Sequence, residues 1–251
     1  MLDTRLCNCS FVEPWHTALP TPAAWASLEI GEDDALYLAD VDVDNAFYRI
    51  KNPPGLEEMF TTPPVYINEL RACGVDIPSE LEGSLELSPI LLVLPMGFSW
   101  SLYFGQRMVE ESALAGGALP GDFVVDRRVP PEVRGGKPWV GVYVDGAAAV
   151  GTDLEAVDGR VLGISLALNG NNLLCHEVVA AGGVQEFAGL SFDKDSGRIS
   201  VKPKRLWRLR LALLRILEVG RISGVALQAI LGHVTWCALV RRPLLSLSWS
   251  C

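Results

Sequence analysis

Trp139-Val-Gly-Val-Tyr-Val-Asp145-Gly146-Ala-Ala-Ala-Val-Gly151 decides the fold, because two apolar runs flank an Asp-Gly pair. Asp-Gly between such runs is the strongest local hairpin signal, both residues tolerating the positive φ that a two-residue turn demands. The stretch predicts a tight antiparallel hairpin with Asp145 at its tip. Upstream, Ala35-Leu-Tyr-Leu-Ala-Asp-Val-Asp-Val-Asp44 alternates apolar with polar, the period of a half-buried strand ending near Asp44. Ile90-Leu-Leu-Val-Leu94 reads as a short apolar strand stopped by Pro95, with a helix following over 101–115. Five Gly and four Pro over residues 116–138 predict a long loop.

Downstream, a helix is expected over 152–168. A second hairpin should pair Glu186-Phe-Ala-Gly-Leu-Ser-Phe192 with Arg198-Ile-Ser-Val201 around Asp-Lys-Asp-Ser-Gly197. The hairpins make the sheet antiparallel. From Lys202 the chain reads as an amphipathic helix, with Leu206, Leu209, Leu213, Ile216 and Leu217 on one face and Arg205, Arg208 and Arg215 mostly off it. Gly220 ends this helix and Ser223 caps the next. Residues 222–240 carry no formal charge and reach the length of a short membrane span. Ser223, Gly224, Gln228, Gly232, His233 and Thr235 make that stretch too polar for hydrocarbon, so a buried soluble helix and no membrane partner are expected. The segmentation is thus a lead-in over 1–35, a sheet-bearing body over 36–201 and a helical module over 202–251.

The chain has 251 residues, 49% hydrophobic and 20% charged, a globular composition that excludes disorder for its bulk. A net charge of -9 argues, taken whole, against a nucleic-acid binder, but the average conceals a split. Nine Lys/Arg stand against the single acid Glu218 from residue 201 onward, +8, leaving 12 basic and 29 acidic residues, -17, in 1–200. The start MLDTRLCNCS lacks a secretory layout. The six cysteines, at 7, 9, 73, 175, 237 and 251, show no zinc spacing. Reduced thiols in an intracellular protein, cytoplasmic or nuclear and not secreted, are expected.

Asp42 at a strand end and Asp145 at a hairpin tip are two carboxylates that one sheet edge can present together. Such a pair suits Mg²⁺ (or Mn²⁺), which takes hard oxygen ligands and, as a pair of ions, assists phosphoryl transfer. Standing alone, the first is a solvated strand cap and the second a plain turn. Asp40 and Asp44 share a strand face with Asp42, adding ligands or only negative potential.

The motifs make the pattern specific. Asp42-Val-Asp-Asn-Ala-Phe47 resembles the first catalytic motif of reverse transcriptases, an Asp followed five residues later by an aromatic. Leu94-Pro-Met-Gly-Phe98-Ser-Trp-Ser101-Leu-Tyr-Phe-Gly-Gln106 resembles their second motif, and Tyr143-Val-Asp-Gly146 is similar to the third, Tyr-x-Asp-Asp. Glu186-Phe-Ala-Gly-Leu190 looks like the primer-gripping segment, and the helices after 202 look like the thumb. The likeness covers residues 36–245.

The resemblance implies an α+β fold: a polymerase palm with a ferredoxin- or RRM-like antiparallel sheet packed on helices, followed by a helical thumb. It implies RNA-directed DNA polymerisation by two-metal nucleotidyl transfer in a retroelement-derived domain. Partners would be an RNA or DNA template with primer, deoxynucleoside triphosphates and the remainder of a polyprotein. Asp42 and Asp145 would be catalytic, with the Val43 carbonyl beside them on the metals. Phe47 would be the steric gate against a ribose 2′-hydroxyl, or else a core aromatic. Met96 and Gly97 would line the nucleotide, Gly97 allowing close backbone approach, or else form a plain turn. Leu94, Pro95, Ser101, Gly189, Lys204, Arg205 and Arg208 would meet primer and template; the Lys202–Arg215 face reads otherwise as a solvated helix face.

The pattern departs from the family at three places. Gly146 replaces the second Asp of the third motif, Arg5 is the only Lys or Arg before Asp42 where triphosphate-binding fingers are expected, and no Lys lies between 152 and 186. His176 is the nearest substitute for that proton donor, a structural or surface histidine being the other reading. These departures carry an alternative function, a catalytically inactive nucleic-acid-binding remnant. A third reading makes 202–240 a membrane-surface or partner-binding helical pair on an unrelated α+β domain.

Overall fold

The computed structural model describes residues 3–129 and 132–248, which fall into two compact units: residues 3–16 with 45–105, and residues 17–44 with 106–129 and 132–248. The lead-in is divided between both units, and the expected 36–201 body is interrupted after Asp44 by the residues of the first.

In the larger unit, β1 (Tyr37–Val43) precedes the insertion. Then come α1 (Ser101–Ala115), whose first five residues count with the smaller unit, β2 (Trp139–Tyr143), β3 (Gly146–Gly151), α2 (Leu154–Gly170) and β4 (Cys175–Val179). The strands form one antiparallel sheet in the order β2-β3-β1-β4. A βαββαβ succession in that order is the ferredoxin-like arrangement, as the sequence led us to expect. All six residues of β3, Gly-Ala-Ala-Ala-Val-Gly, are buried, and their small side chains let both faces of the sheet be closely covered. One face meets α2, which buries Val157, Val161, Ile164 and Leu168. Against the other pack Trp25, Phe187, Leu190 and Phe192 around Leu36, Leu38, Ala148 and Val150. The Trp25 ring is fully buried and edge-on to Phe187 and Phe192, at 5.9 and 5.3 Å between centroids. Gly141 is needed beneath it, since a Cβ there would collide with the indole. The expected lead-in therefore supplies the largest side chain of the core.

Beyond β4, three antiparallel strands follow: β5 (Val184–Phe187), β6 (Leu190–Asp193) in the middle and β7 (Arg198–Val201). The expected single strand 186–192 is broken by a two-residue turn, Ala188 at φ 46° and Gly189 at φ 83°. Next come α3 (Pro203–Val219) and α4 (Gly224–Leu239), separated by Gly220 at φ 66°, with the Ser223 hydroxyl accepting from the Ala226 N–H at 3.2 Å. The stretch 222–240 is helical but not the buried helix expected: only Ala238 of α4 is buried, its cover being the short helix Arg242–Ser248, α3 and the helix end around Ala24. Among the described residues no helix is long and apolar enough to cross a membrane.

The smaller unit is built on Cys7, Phe60, Leu94 and Phe98, against which Phe11, Phe47, Trp100 and Phe104 pack. Residues 90–94 do not form the expected strand. They make only isolated bridges, Thr61 with Ile90 and Lys51 with Val93, because the Asn52 side-chain amide occupies the carbonyls of Leu91 and Val93 at 2.9 and 3.0 Å.

Candidate functional site

The register of the central sheet brings the two aspartates together. Asp42 pairs directly across from Gly146, next to Asp145, and the Val43 N–H donates to the Asp145 carbonyl at 3.0 Å. On its other side β1 pairs with β4, where Asp42 faces Glu177, and the register slips between Asp42 and Val43. Such a bulge re-aims a side chain at a strand end. The turn itself is Val144-Asp145, one residue earlier than the Asp-Gly pair expected, since Tyr143 and Gly146 still pair. Val144 stands at φ 58°, a conformation costly for a β-branched residue. Gln106 holds it there. This fully buried amide on α1 accepts from the Val144 N–H at 2.7 Å and donates to the Val142 carbonyl at 2.9 Å.

Negative charge accumulates at this edge. The Asp42 side chain reaches solvent, yet the surrounding protein lifts its carboxyl above the usual carboxylate range; repulsion from Asp145 and Glu177 adds to the rise and attraction to His176 opposes it. Asp40, half-buried on the same strand, is pushed up to about 6 by burial, then by Glu177 and Asp42, against the pull of Lys202. Glu177 and Gln106 are the residues that sequence reasoning left without a role. Gln106 closes the stretch that resembles the second motif, whereas Glu177 enters through register alone and no local pattern announces it.

Among the described residues, no three His, Cys, Asp or Glu side chains form a group able to hold a metal ion by themselves. A pair of hard carboxylate oxygens nevertheless fits Mg²⁺ or Mn²⁺. Mg²⁺ commonly takes one or two carboxylates and completes its shell with water and substrate phosphates. Asp42 and Asp145 are the residues that would hold it. A Cβ added at Gly146 would lie 3.3 Å from Asp42 Oδ1 and 3.5 Å from Phe187 Cε2, so a third carboxylate can be built there with a small shift of Asp42.

The remaining expected residues divide by burial. Leu94 and Ser101 are buried, the Ser101 hydroxyl donating to the Pro95 carbonyl at 2.9 Å, so these residues shape the loop from within. Met96 and Gly97 are exposed; Gly97 stands at φ 105° with its carbonyl accepting from Asn8 Nδ2 at 2.9 Å. Phe47 is half-buried against the aromatic cluster of its own unit. His176 is exposed on the edge strand β4. Lys202, Lys204, Arg205 and Arg208 gather on α3 around a cavity of about 450 Å³ floored by Leu209, Ala212 and Ile230 and bordered by His233. Gly189 lies in the turn beside Arg205.

No protein-family model matches this sequence, and neither does any curated protein. Solved structures do match it. The foamy viral protease-reverse transcriptase in complex with double-stranded DNA is similar over 99% of this chain and 36% of its own, at 13% identity and a TM-score of 0.59. The fold is reverse-transcriptase-like. The same viral protein in complex with an RNA/DNA hybrid is similar over 100% of this chain and 28% of its own, at 14% identity and a TM-score of 0.53. The chain thus spans about a third of the length of the structures it resembles. A telomerase from Candida tropicalis aligns at a TM-score of 0.39, too distant to bear on the fold.

Proposed function

We propose that this reverse-transcriptase-like fold is the polymerase part of a retroelement-derived protein, performing RNA-directed DNA polymerisation by two-metal nucleotidyl transfer. The observation that carries the reading is the sheet edge where Asp42 and Asp145 stand side by side on a ferredoxin-like scaffold. In this reading Asp42 and Asp145, with the Val43 carbonyl, hold Mg²⁺ or Mn²⁺. Metal held by these residues would supply activation of the primer 3′-hydroxyl and charge neutralisation at the transferring phosphate. Gln106 fixes the turn that carries Asp145. Phe47, Met96 and Gly97 belong to the nucleotide side. The Ala188–Gly189 turn, with Arg205 beside it, holds the primer end, and Lys204 and Arg208 on the helical pair, the thumb, meet backbone phosphates. Template, primer, deoxynucleoside triphosphates and the remainder of a polyprotein are the partners.

Gly146 supports a second reading, an inactive nucleic-acid-binding remnant, because Asp42 faces hydrogen where the third motif has its second carboxylate. Primer extension on an RNA template with Mg²⁺ or Mn²⁺ decides between them. Incorporation that falls at least about a hundredfold in Asp42→Ala supports the polymerase, as removal of a group acting in the transition state should. Incorporation unchanged by Asp42→Ala overturns it. Silence in both the natural chain and Gly146→Asp, with salt-dependent duplex binding retained, establishes the remnant.

A further inference from the structure

We propose that Trp236 is a positioning residue: it holds the Arg205 guanidinium over its ring beside the Ala188–Gly189 turn, so that α3 and α4 set the orientation of that turn. What the turn does rests on the polymerase reading above; the clamp itself rests on geometry. The Arg205 guanidinium carbon lies 3.9 Å from the centroid of the Trp236 ring. A Cβ added at Gly189 would lie 3.1 and 3.2 Å from Trp236 Cζ2 and Cη2, and 3.6 Å from Arg205 Nη2. The turn is left-handed at both residues, so position 189 needs glycine twice over, for its φ and for the space the indole takes.

Two further ties join the start of α3 to the same hairpin. Lys202 Nζ is 2.7 Å from Glu186 Oε2, and the Lys202 N–H donates to the Gly189 carbonyl at 3.5 Å. Trp236 packs in turn on the core cluster that contains Phe187 and Leu190. The stack therefore stands on the same body as the face bearing Asp42. Arg205 differs in this from Lys204 and Arg208, which are exposed at the cavity. A planar guanidinium can lie on an indole, whereas a lysine ammonium is a point charge on a flexible stem, so Arg205→Lys keeps the charge and loses the plane.

The test measures hydrogen exchange of the amides at 187–190 and, in parallel, affinity of the full chain for a primer–template duplex across a salt series. Trp236→Leu and Arg205→Lys should each speed exchange at 187–190 tenfold or more and weaken duplex binding at least threefold with the salt slope unchanged. Trp236→Phe, which keeps an aromatic face, should restore both. Arg208→Gln should lower affinity and salt slope without altering exchange, the behaviour of a phosphate contact. Exchange at 187–190 unchanged in Arg205→Lys overturns the clamp. So does full affinity in Arg205→Lys alongside a lowered salt slope in Arg205→Gln, because Arg205 is then a phosphate contact. Should Trp236→Leu fail to fold, Arg205→Lys and Trp236→Phe decide alone. A natural chain that binds no duplex defeats the polymerase reading, and exchange then judges the clamp by itself.

Discussion

The sheet around Asp42 and the helical pair α3–α4 are both rich in apolar residues, and they do opposite things with them. Every residue of β3 is buried, whereas α3 buries none and leaves Leu206, Leu211 and Leu217 at 46%, 61% and 80% exposure. The cause is cover rather than composition. The sheet has α2 on one face and Trp25, Phe187 and Phe192 on the other, while the helices have each other, the short helix Arg242–Ser248 and the helix end around Ala24. Apolar sequence becomes core only where a second element lies across it. A packed footing for the aspartates follows from the first situation, and an open apolar surface from the second.

The contrast breaks first at Trp25. Trp25→Ala should cost about 3–5 kcal/mol, the range for deleting a buried aromatic, read as a shift in the denaturant midpoint; a loss no larger than that of a surface leucine would mean the two regions are equally well packed. Next comes Gln106→Leu, which strands the Val144 N–H and the Val142 carbonyl and should cost about 1–3 kcal/mol. Its crystal structure should show the Val144–Asp145 turn displaced, and an unmoved turn would remove Gln106 from the site.

Asp40 sharpens the comparison through pH. Its folded carboxyl titrates at about 6, above the ordinary 3.8, so the native state binds the proton more tightly. The stability this gives is complete below pH 3.8 and is lost as pH rises to about 6, amounting to about 1–2 kcal/mol after allowance for partial exposure. Unfolding in EDTA at pH 4 and pH 7 should show that difference for the natural chain relative to Asp40→Asn. Parallel curves for the two would show that the sheet edge does not hold Asp40 as described. The smallest effect belongs to the helices: Leu217→Ala should stay within about 0.5 kcal/mol, and a larger loss in thermal unfolding would reveal cover for α3.

Most of the sheet was legible because its signals are local. The alternation at 35–44 becomes β1, the apolar runs beside Asp-Gly become β2 and β3, and Gly220 and Ser223 punctuate the helices where expected. The βαββαβ order and the Asp42–Asp145 juxtaposition then follow from topology. What stayed hidden depends on partners distant in sequence. Trp25 gives no periodic signal and needs Gly141 opposite it. Residues 90–94 look like a strand until Asn52 takes their carbonyls. Glu177 enters the site through a register that no spacing encodes. The turn at Ala188–Gly189 did leave a trace, a glycine inside a strand pattern, which commonly marks a bend or a close backbone approach.

The core cluster that Trp25 completes also receives Trp236 and Val240 from the other end of the sequence. Closure of this core therefore joins residues far apart in sequence. The strands at 37–43 and 139–151 precede Phe187, Leu190 and Phe192, which cover one of their faces, a high-contact-order arrangement that folds slowly. Until those residues follow, a nascent chain shows an apolar face that its finished sheet hides.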